Sequence, residues 1–491
     1  MEYQPIIGLE THVELKTKTK MFCGCKNDPN EKRPNFNICP ICTAQPGSLP
    51  VINKEAVRKV IKTGLAFNCR IPEYSKFDRK NYFYPDLPKN YQISQLYQPL
   101  CKKGFLDIRE NSWPNSRKFA RVRIREVHLE EDTGRLVHPE GVDYSLVDFN
   151  RAGIPLMELV TEPDLRSAKE ARRFAEELQL ILRYLDVSDT DMEKGQLRVE
   201  ANISLGEKGK LGTKVEIKNL NSFRAVEKSI DYEIKRQEKI LKSGKKVIQE
   251  TRGWDNIRGV TVSQREKEYA HDYRYFPEPD LPILHLGTPE YLNEIKAEIP
   301  ELPQQKRGRL RREYELDEKS IEFFVFNKDL GEYFEKVVSE FDPRLSHEKL
   351  FNLIKLASNY LITDLQGLLK GASVSGEDFL ITPENFAEFI TLIYDGKISS
   401  KMAKMILEEM FKTGADPSHI IEEKGLVLIA DEAEIEKIVK KVISENQKAI
   451  QDFKKGKENA LQFLIGQVMA ETKGKANPEI INKIFKKLLK A

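Results

Sequence analysis

The chain contains 491 residues, with 80 Lys and Arg against 77 Asp and Glu, and its net charge is +3. This length is too great for one small core and predicts about three domains, while the balanced charge does not by itself indicate a nucleic-acid partner. The N-terminal residues lack the pattern of a secretory signal, and no apolar run approaches the roughly 20 residues that cross a bilayer. Because six cysteines are also too few for a disulfide scaffold, we expect a protein of the reducing cytoplasm with no membrane partner.

The first predicted element is a strand that runs from Ile7 to Leu15. Apolar residues alternate there with Glu10, His12 and Glu14, so two carboxylates and an imidazole share one face. Oxygen and nitrogen ligands of this kind suit Mg²⁺ or a general base. A solvated strand face often carries the same residue types, and the spacing alone leaves both interpretations open.

The next segment contains four cysteines in two close pairs. Their spacing is Cys23-x-Cys25, thirteen residues, then Cys39-x-x-Cys42, in sequence rich in Gly, Asn and Pro. The pattern is typical of four thiolates that hold zinc tetrahedrally, and redox-paired or merely buried cysteines are the alternative. Since a site with four protein ligands leaves no open position for water, we predict a zinc ion that stabilises a loop-rich region.

Further acidic residues occur in two later segments. Residues 128–132 combine one histidine with three acids, and Glu158 interrupts an apolar run over 156–160. A buried carboxylate must be paired, protonated or bound to a metal ion. These segments strengthen the interpretation of the first strand as part of a functional cluster.

Two strands with regular alternation follow, over residues 197–205 and 213–218, separated by a glycine-rich turn region. The pattern predicts an antiparallel hairpin. A helix should then begin after the N-cap Ser222 and end at Gly244. The polar face of the hairpin is either solvated or functional, and it carries Arg198, Glu200, Asn202, Lys214, Glu216 and Lys218.

Beyond residue 295 helical spacing replaces alternation. The predicted fold class is therefore α+β, with an N-terminal antiparallel sheet that forms a cradle, accompanying helices and the zinc-stabilised loops, followed by all-helical middle and tail domains. We place the domains at residues 1–294, 295–409 and 410–491.

Positive charge is concentrated near the C-terminus. Residues 437–491 contain thirteen Lys, no Arg and five acids, which gives a net charge of +8. Lysines on solvated helix faces explain such a bias as readily as an RNA partner does, so both interpretations remain open at this point.

Several longer motifs together resemble one known family, the B subunits of bacterial aspartyl/glutamyl-tRNA amidotransferases. The resemblance extends from Glu10 to the C-terminal lysines, and so many motifs in the right order are far more specific than any single short pattern. The motifs are, in chain order, the cysteine pairs, residues 76–95, Asp148-Phe149-Asn150-Arg151 through Pro163-Asp164, residues 216–224, residues 272–282 and residues 463–478.

The resemblance implies a ligase that forms a carbon–nitrogen bond on misacylated tRNA, with glutamine as the amido donor. ATP phosphorylates the side-chain carboxylate of Glu on tRNA(Gln) or of Asp on tRNA(Asn), and ammonia then displaces the phosphate to give Gln-tRNA or Asn-tRNA. It also implies a heterotrimer, in which a separate amidase subunit supplies the ammonia and a small third subunit helps to hold the other two together. Two alternatives remain. One is an E-subunit-like paralogue from a two-subunit Glu-tRNA enzyme, whose large inserted domain is not evident here, and the other is a noncatalytic tRNA-binding module.

The same resemblance implies ATP, Mg²⁺ and a structural Zn²⁺ as cofactors. Residue by residue, the catalytic Mg²⁺ site corresponds to Glu10, His12, Glu131 and Glu158, with Glu130 as a substitute for its neighbour. No Gly-x-x-x-x-Gly-Lys-Ser/Thr loop occurs in the sequence, so ATP must be held in another way. The residues implied to contact ATP and the substrate are Arg198, Glu200, Lys214, Glu216 and Lys218.

One position departs from the pattern of the family, because we expect Asp where this chain has Glu200. The extra methylene moves the carboxylate by one bond, which puts a metal or ammonia role for Glu200 in doubt. For the basic segment over residues 437–491, which we call the basic tail, the resemblance favours an RNA partner over lysines that are merely solvated. The lysines implied to bind tRNA are Lys454, Lys455, Lys457, Lys473 and Lys475.

Overall fold

The structure is a computed structural model that describes residues 3–109, 119–207, 210–266, 272–426, 432–454, 457–472, 476 and 478–489. The chain divides into two units, Met1–Pro303 and Gln304–Ala491, and each is described by itself. All strands among the described residues lie in the first unit, and the described elements of the second unit are helices. The predicted α+β fold class, with a helical C-terminal part, is confirmed.

The strands are numbered in chain order. They are β1 Tyr3–Glu14, β2 Tyr74–Ser75, β3 Asp78–Asn81, β4 Tyr91–Ser94, β5 Cys101–Arg109, β6 Phe119–Glu131, β7 Arg135–Val137, β8 Leu146–Asp148, β9 Pro155–Thr161, β10 Leu197–Glu207, β11 Val215–Leu220, β12 Glu250–Asp255, β13 Val260–Glu266, β14 Phe276–Pro277 and β15 Leu284–His285.

Eight of these strands form one large sheet in the order β13-β12-β11-β10-β1-β9-β6-β5. Neighbouring strands are antiparallel except for β11 and β12, which are parallel. The sheet is therefore mixed, not wholly antiparallel as predicted. The reason is that the chain crosses from β11 to β12 through a long helix, and a crossover of this kind returns the chain in the same direction.

Four helices belong to the first unit, namely α1 Lys54–Ala66, α2 Ala168–Tyr184, α3 Phe223–Lys242 and α4 Pro289–Ala297. The apolar face of the sheet and these helices share one core, in which Ile7 and Leu9 of β1 are buried together with Phe174 of α2 and Val226 of α3. Because side chains alternate along a strand, the opposite face of β1 carries Glu10, His12 and Glu14. The strand pattern predicted for residues 7–15 is confirmed.

The hairpin and the helix that follows it also agree with the prediction. β10 and β11 pair in antiparallel fashion, with Asn202 opposite Glu216. The side chain of Ser222 accepts a hydrogen bond from the backbone N–H of Ala225 and caps α3, as serine at an N-cap does. Gly244, just beyond the end of α3, has a φ of 77°, the left-handed conformation that favours glycine after a helix.

Two aromatic-rich segments that are far apart in sequence meet in a small three-stranded sheet, ordered β14-β3-β4. Phe276 of β14 lies opposite Arg79 of β3. The Arg79 guanidinium donates to Glu278 at 2.7 and 2.8 Å and lies over the ring of Tyr91. Strand β4 of this small sheet packs beside β6 of the large one, so it forms a wall at one side of the polar face.

The second unit consists of helices in its described residues, with one π-helical turn at Leu361–Leu365 between α8 and α9. The helices are α5 Pro303–Glu313, α6 Glu318–Phe326, α7 Lys328–Ser339, α8 His347–Tyr360, α9 Gln366–Leu369, α10 Pro383–Tyr394, α11 Ser400–Thr413, α12 Pro417–Glu423, α13 Glu432–Glu445, α14 Gln447–Lys454, α15 Glu458–Glu471 and α16 Pro478–Leu489.

Helices α13 to α16 share their own apolar cluster, which includes Ile435, Val439, Val468 and Phe485. The predicted tail boundary at residue 410 lies within α11. A separate tail domain that begins there remains a prediction.

Candidate active site

The polar face of the large sheet brings together side chains from four strands. His12 of β1 lies opposite Glu158 of β9, and Glu158 lies opposite His128 of β6. Two residues away along β1, Glu10 lies opposite Glu200 of β10. Sheet register therefore assembles these groups from parts of the chain that are far apart in sequence.

Glu158 is at the centre of the group. Its Oε2 lies 3.0 Å from His128 Nε2 and 3.4 Å from His12 Nε2. The ligand atoms of Glu10, His12 and Glu158 lie within 4.8 Å of one another, and so do those of His128, Glu130 and Glu158. We call these five residues the carboxylate–histidine cluster.

The structure brings Glu130, not Glu131, into this cluster. Glu130 lies 3.9 Å from His12 Nε2 and accepts a hydrogen bond from Ser94 Oγ. Glu131 instead contacts Lys89 Nζ at 2.7 Å and accepts from the backbone N–H of Ile93. Consecutive residues of a strand point to opposite faces, so the two neighbours cannot both reach the cluster, and the geometry does not support Glu131 as a ligand beside His12.

Two more of the predicted carboxylates form a second group with Glu10, beside the first. Glu10, Glu200 and Glu216 also offer ligand atoms within 4.8 Å of one another. Lys218 Nζ lies 2.8 Å from Glu200 and 3.8 Å from Glu216, and Thr251 donates a hydrogen bond to Glu216. The longer side chain of Glu200 therefore still reaches the carboxylate of Glu10.

The remaining predicted contacts, Arg198 and Lys214, line the same cavity of about 880 Å³. Arg198 lies opposite His12 and donates to Asp132 at 2.8 Å, while Lys214 is exposed at the rim. Lys80 and Tyr275 line the cavity from the side of the small sheet. Acidic, imidazole and cationic groups thus surround one open space.

The electrostatics of the cluster favour a bound cation. Burial and the neighbouring Glu158 raise the pKa of Glu10 to about 7. Burial opposes the charge on His12, but the Glu158 carboxylate raises the pKa of the imidazole to about 9. Burial likewise disfavours the charge on Glu158, yet His128 and His12 lower the pKa of that carboxyl well below its usual range. Bound protons thus reduce the repulsion between the converging carboxylates, and a divalent cation could take the place of those protons.

The four cysteines of the N-terminal segment converge as predicted. The Sγ atoms of Cys23, Cys25, Cys39 and Cys42 all lie within 4.8 Å of one another, and Cys39 Sγ is 3.9 Å from Cys42 Sγ. The hydrogen bond to Cys23 lowers the pKa of Cys42 to about 5, and the charge of Lys20 acts in the same direction. This cluster could hold a zinc ion.

Two of the five lysines predicted to bind tRNA, Lys454 and Lys457, lie within the described residues. Lys455, Lys473 and Lys475 lie outside the described residues, and Lys454 ends α14. Lys457 is exposed, and its Nζ lies 3.1 Å from Asp452. Within the described ranges, no helix combines the length and apolar character required to traverse a bilayer.

Sequence reasoning did not assign three groups at the site, His128, Asp132 and Lys80. His128 and Glu130 are separated by one residue on a strand, so alternation could have placed both on the face that carries the cluster. Asp132 follows the end of β6 and pairs with Arg198. Lys80 had no comparable signal, because only tertiary packing brings the small sheet to the cavity.

Comparisons with known proteins identify the family of the chain. A family model described as the GatB/GatE catalytic domain matches residues 5–292, and a second, described as a GatB domain, matches residues 332–489. The chain is 52% identical to a protein of Thermotoga petrophila over all of this chain and 99% of that protein. It is 49% identical to one of Persephonella marina and 48% identical to one of Caldanaerobacter subterraneus, over the whole of each chain.

All three relatives are named as B subunits of aspartyl/glutamyl-tRNA(Asn/Gln) amidotransferases. Identity near one half over complete chains is far above what a shared fold alone produces. The chain belongs to the family of aspartyl/glutamyl-tRNA(Asn/Gln) amidotransferase B subunits.

Proposed function

We propose that this chain is the subunit that activates and amidates the amino acid on misacylated tRNA. In the proposed reaction the γ-phosphoryl group of ATP moves to the side-chain carboxylate of Glu on tRNA(Gln) or Asp on tRNA(Asn), and ADP leaves. Ammonia then attacks the acyl carbon and phosphate departs, which forms the amide. A carboxylate is a poor acyl donor, and phosphorylation supplies the leaving group that it lacks.

The observation that carries the proposal is the convergence of Glu10, His12, Glu130 and Glu158 in an open cavity bordered by Lys80, Arg198 and Lys218. Phosphoryl transfer depends on positioning and on charge stabilisation more than on covalent chemistry by the protein. Carboxylates that hold a cation beside lysine and arginine side chains fit both requirements.

The three carboxylates of this set fit Mg²⁺, which prefers oxygen ligands and is commonly held by carboxylates together with substrate phosphates. His12 would supply a nitrogen ligand beside them. Bound there, Mg²⁺ would offset the negative charge of the phosphoryl group as it is transferred. His128 contacts Glu158 at 3.0 Å and would orient that carboxylate toward the ion. Lys218 would hold Glu200 and Glu216, whose carboxylates form the second group beside Glu10.

The proposal includes a zinc ion on the four cysteines and two partner proteins in the cytoplasm. The amidase subunit of the same enzyme would release ammonia from glutamine, and the small third subunit would join the assembly. The proposal covers both Glu-tRNA(Gln) and Asp-tRNA(Asn) as substrates.

The direct test is formation of Gln-tRNA from Glu-tRNA and ATP, with ammonium chloride as the nitrogen donor and the chain assembled with its partner subunits. Ammonium bypasses the amidase and isolates the chemistry of this chain. We expect the assembled wild type to form product, and the Glu10→Gln/His12→Ala variant to bind tRNA but consume no ATP. If this variant were as active as the wild type, the carboxylate–histidine cluster would have no part in the reaction. A wild type that binds tRNA without turnover would favour the noncatalytic module.

We also propose that the basic tail binds the body of the tRNA. A cut at residue 410 would fall inside α11, where Met410 is fully buried, so the test removes residues 427–491, which follow α12. We expect KM for tRNA to rise by at least about tenfold with kcat nearly unchanged, because lysine–phosphate contacts contribute affinity and not chemistry. The affinity of the intact enzyme should also fall more steeply with salt. Equal salt slopes with and without the tail would contradict this role.

A further inference from the structure

A second cavity lies on the same sheet face as the carboxylate–histidine cluster. It has a volume of about 200 Å³, and its lining includes Gly8, Val160, Asn202 and Lys214. Lys214 also lines the larger cavity, so the two spaces adjoin. Pockets for drug-sized ligands occupy roughly 300–1,000 Å³, and this smaller space suits a single ring system.

Gly8 forms part of the floor of this cavity, in the middle of β1. Its φ lies outside the left-handed region that favours glycine. A Cβ atom built on Gly8 would approach Pro163 Cα and Thr161 Oγ1 at 3.7 Å, an ordinary contact distance. Neither the backbone nor the packing therefore requires glycine here. Glycine within a strand often marks a place where a ligand approaches the backbone closely.

Asn202 lies directly opposite Gly8 on β10. Its Oδ1 atom is buried, yet it accepts no hydrogen bond within the part of the chain that the structure describes. Buried polar atoms in proteins nearly always have a partner, and each exception needs an explanation. A bound ligand that donates a hydrogen bond would supply the missing partner.

Cationic and apolar side chains complete the surroundings. Arg125 and Lys214 are exposed and line the cavity, and the nearest carboxylate to Arg125 is that of Glu162, at 3.9 Å. Leu211 also lines it and leaves 75% of its surface exposed. An apolar surface, a free amide oxygen and two cations form a combination that suits a nucleobase attached to phosphate.

We propose that this cavity seats an adenine ring, with the Asn202 amide reading its edge. An asparagine amide offers an acceptor and a donor side by side, which match the exocyclic amino group and a ring nitrogen of adenine. Gly8 leaves room for the flat ring, and Arg125 and Lys214 face the phosphate or ribose side. The inference rests on the proposed function, which supplies two sources of adenine, ATP and the 3′-terminal adenosine of the tRNA.

The distance along β1 from Gly8 to the carboxylate–histidine cluster is compatible with either source of adenine. Gly8 is two residues from Glu10 and four from His12, which correspond to about 7 and 13 Å in an extended strand. An extended nucleotide spans this range between its base and the group that reacts. A base seated over Gly8 would therefore bring either the terminal phosphate of ATP or the aminoacyl group of the tRNA to the cluster.

The test uses the fully assembled enzyme with ammonium as donor, and it compares Gly8→Ala and Asn202→Asp with the wild type. The added methyl should raise KM for ATP or for Glu-tRNA by about tenfold without a change in Tm. Asn202→Asp should lower the preference for ATP over GTP by at least about tenfold if ATP is the source, because a carboxylate accepts from N1–H and the amino group of guanine but cannot donate to adenine. Gln4→Glu, the same amide-to-acid change at an exposed position of β1, is the matched control.

ATP and the terminal adenosine of the tRNA, the two sources of adenine, predict different changes in KM. A higher KM for ATP with altered nucleotide preference assigns the cavity to the base of ATP, whereas a higher KM for tRNA alone assigns it to the terminal adenosine. Unchanged KM values and unchanged preference in both variants would overturn the inference. If Asn202→Asp fails to assemble, Gly8→Ala still decides the question. An inactive wild type would reject the proposed function instead, so the two failures are distinguishable.

Discussion

Replacing Glu130 by Gln should reduce ATP-dependent amidation on the order of 10²–10³-fold, whereas Glu131→Gln should reduce it far less. Glu130 lies 3.9 Å from His12 and belongs to the cluster that we propose holds Mg²⁺. Glu131 lies against Lys89 on the other side of the strand. The measurement is turnover with ammonium as donor at saturating Mg²⁺, together with Tm for both variants.

The two substitutions form a matched pair, since both exchange a buried carboxylate for its amide at neighbouring positions. Glu131→Gln should cost stability, by about 2 kcal/mol, because the charged hydrogen bond to Lys89 is lost. Glu130→Gln should instead require much higher Mg²⁺ for its residual activity. If Glu131→Gln proves to be the inactive variant at normal stability, the geometric assignment is wrong and the assignment made from the sequence is right.

Replacing Cys42 by Ser should remove zinc from the protein and lower its Tm by about 5–10 °C. The four Sγ atoms lie within 4.8 Å of one another in a loop-rich segment that has little regular structure of its own, so a bound metal would contribute directly to folding. Zinc content by elemental analysis and thermal unfolding of the purified protein are the measurements. Cys69→Ala is the control, because Cys69 is buried in the main core, apart from the cluster, and this variant should keep its zinc.

Loss of zinc in Cys42→Ser should also disturb the carboxylate–histidine cluster. Cys23 and Cys42 line a cavity of about 370 Å³ together with Lys89, Tyr91 and Glu131, so disorder of the cysteine loops would disturb the strands that carry the cluster. We expect Cys42→Ser to lose amidation as well as stability. Less than about half an equivalent of zinc in the wild type, after expression in zinc-replete medium, would exclude the structural metal.

Local patterns in the sequence were sufficient for the elements in which one physical requirement dominates. Alternation predicted β1 and the hairpin of β10 and β11, because one face of each strand must be buried. The cap at Ser222 predicted the start of α3, and the cysteine spacing predicted a converging cluster. The site face of β1 followed from the same alternation, and it correctly set Glu10 and His12 together.

The rest depended on long-range pairing that a local pattern does not contain. Whether Glu130 or Glu131 reaches His12 depends on the register between β6 and β9, which sets the sheet face from which each side chain projects. Both carboxylates are buried, so burial does not distinguish them. The parallel pairing of β11 and β12 results from the crossover through α3, not from the residues of either strand. Lys80 reaches the cavity only because residues 76–95 and 272–282 assemble into the small sheet.

The place of β1 in the large sheet has a consequence for biosynthesis. Although this strand is made first, its partners are β9 and β10, and the pairing of Tyr3 with Glu207 requires more than 200 residues of chain. At about 5–20 residues per second, the ribosome needs roughly 10–40 s to produce them. Until β9 has been made, the nascent strand has neither of its partner strands to join and its apolar side is uncovered, so shielding by a chaperone would help most during early elongation. A chain released before β9 is complete would carry Glu10 and His12 without the Glu158 carboxylate on which they converge.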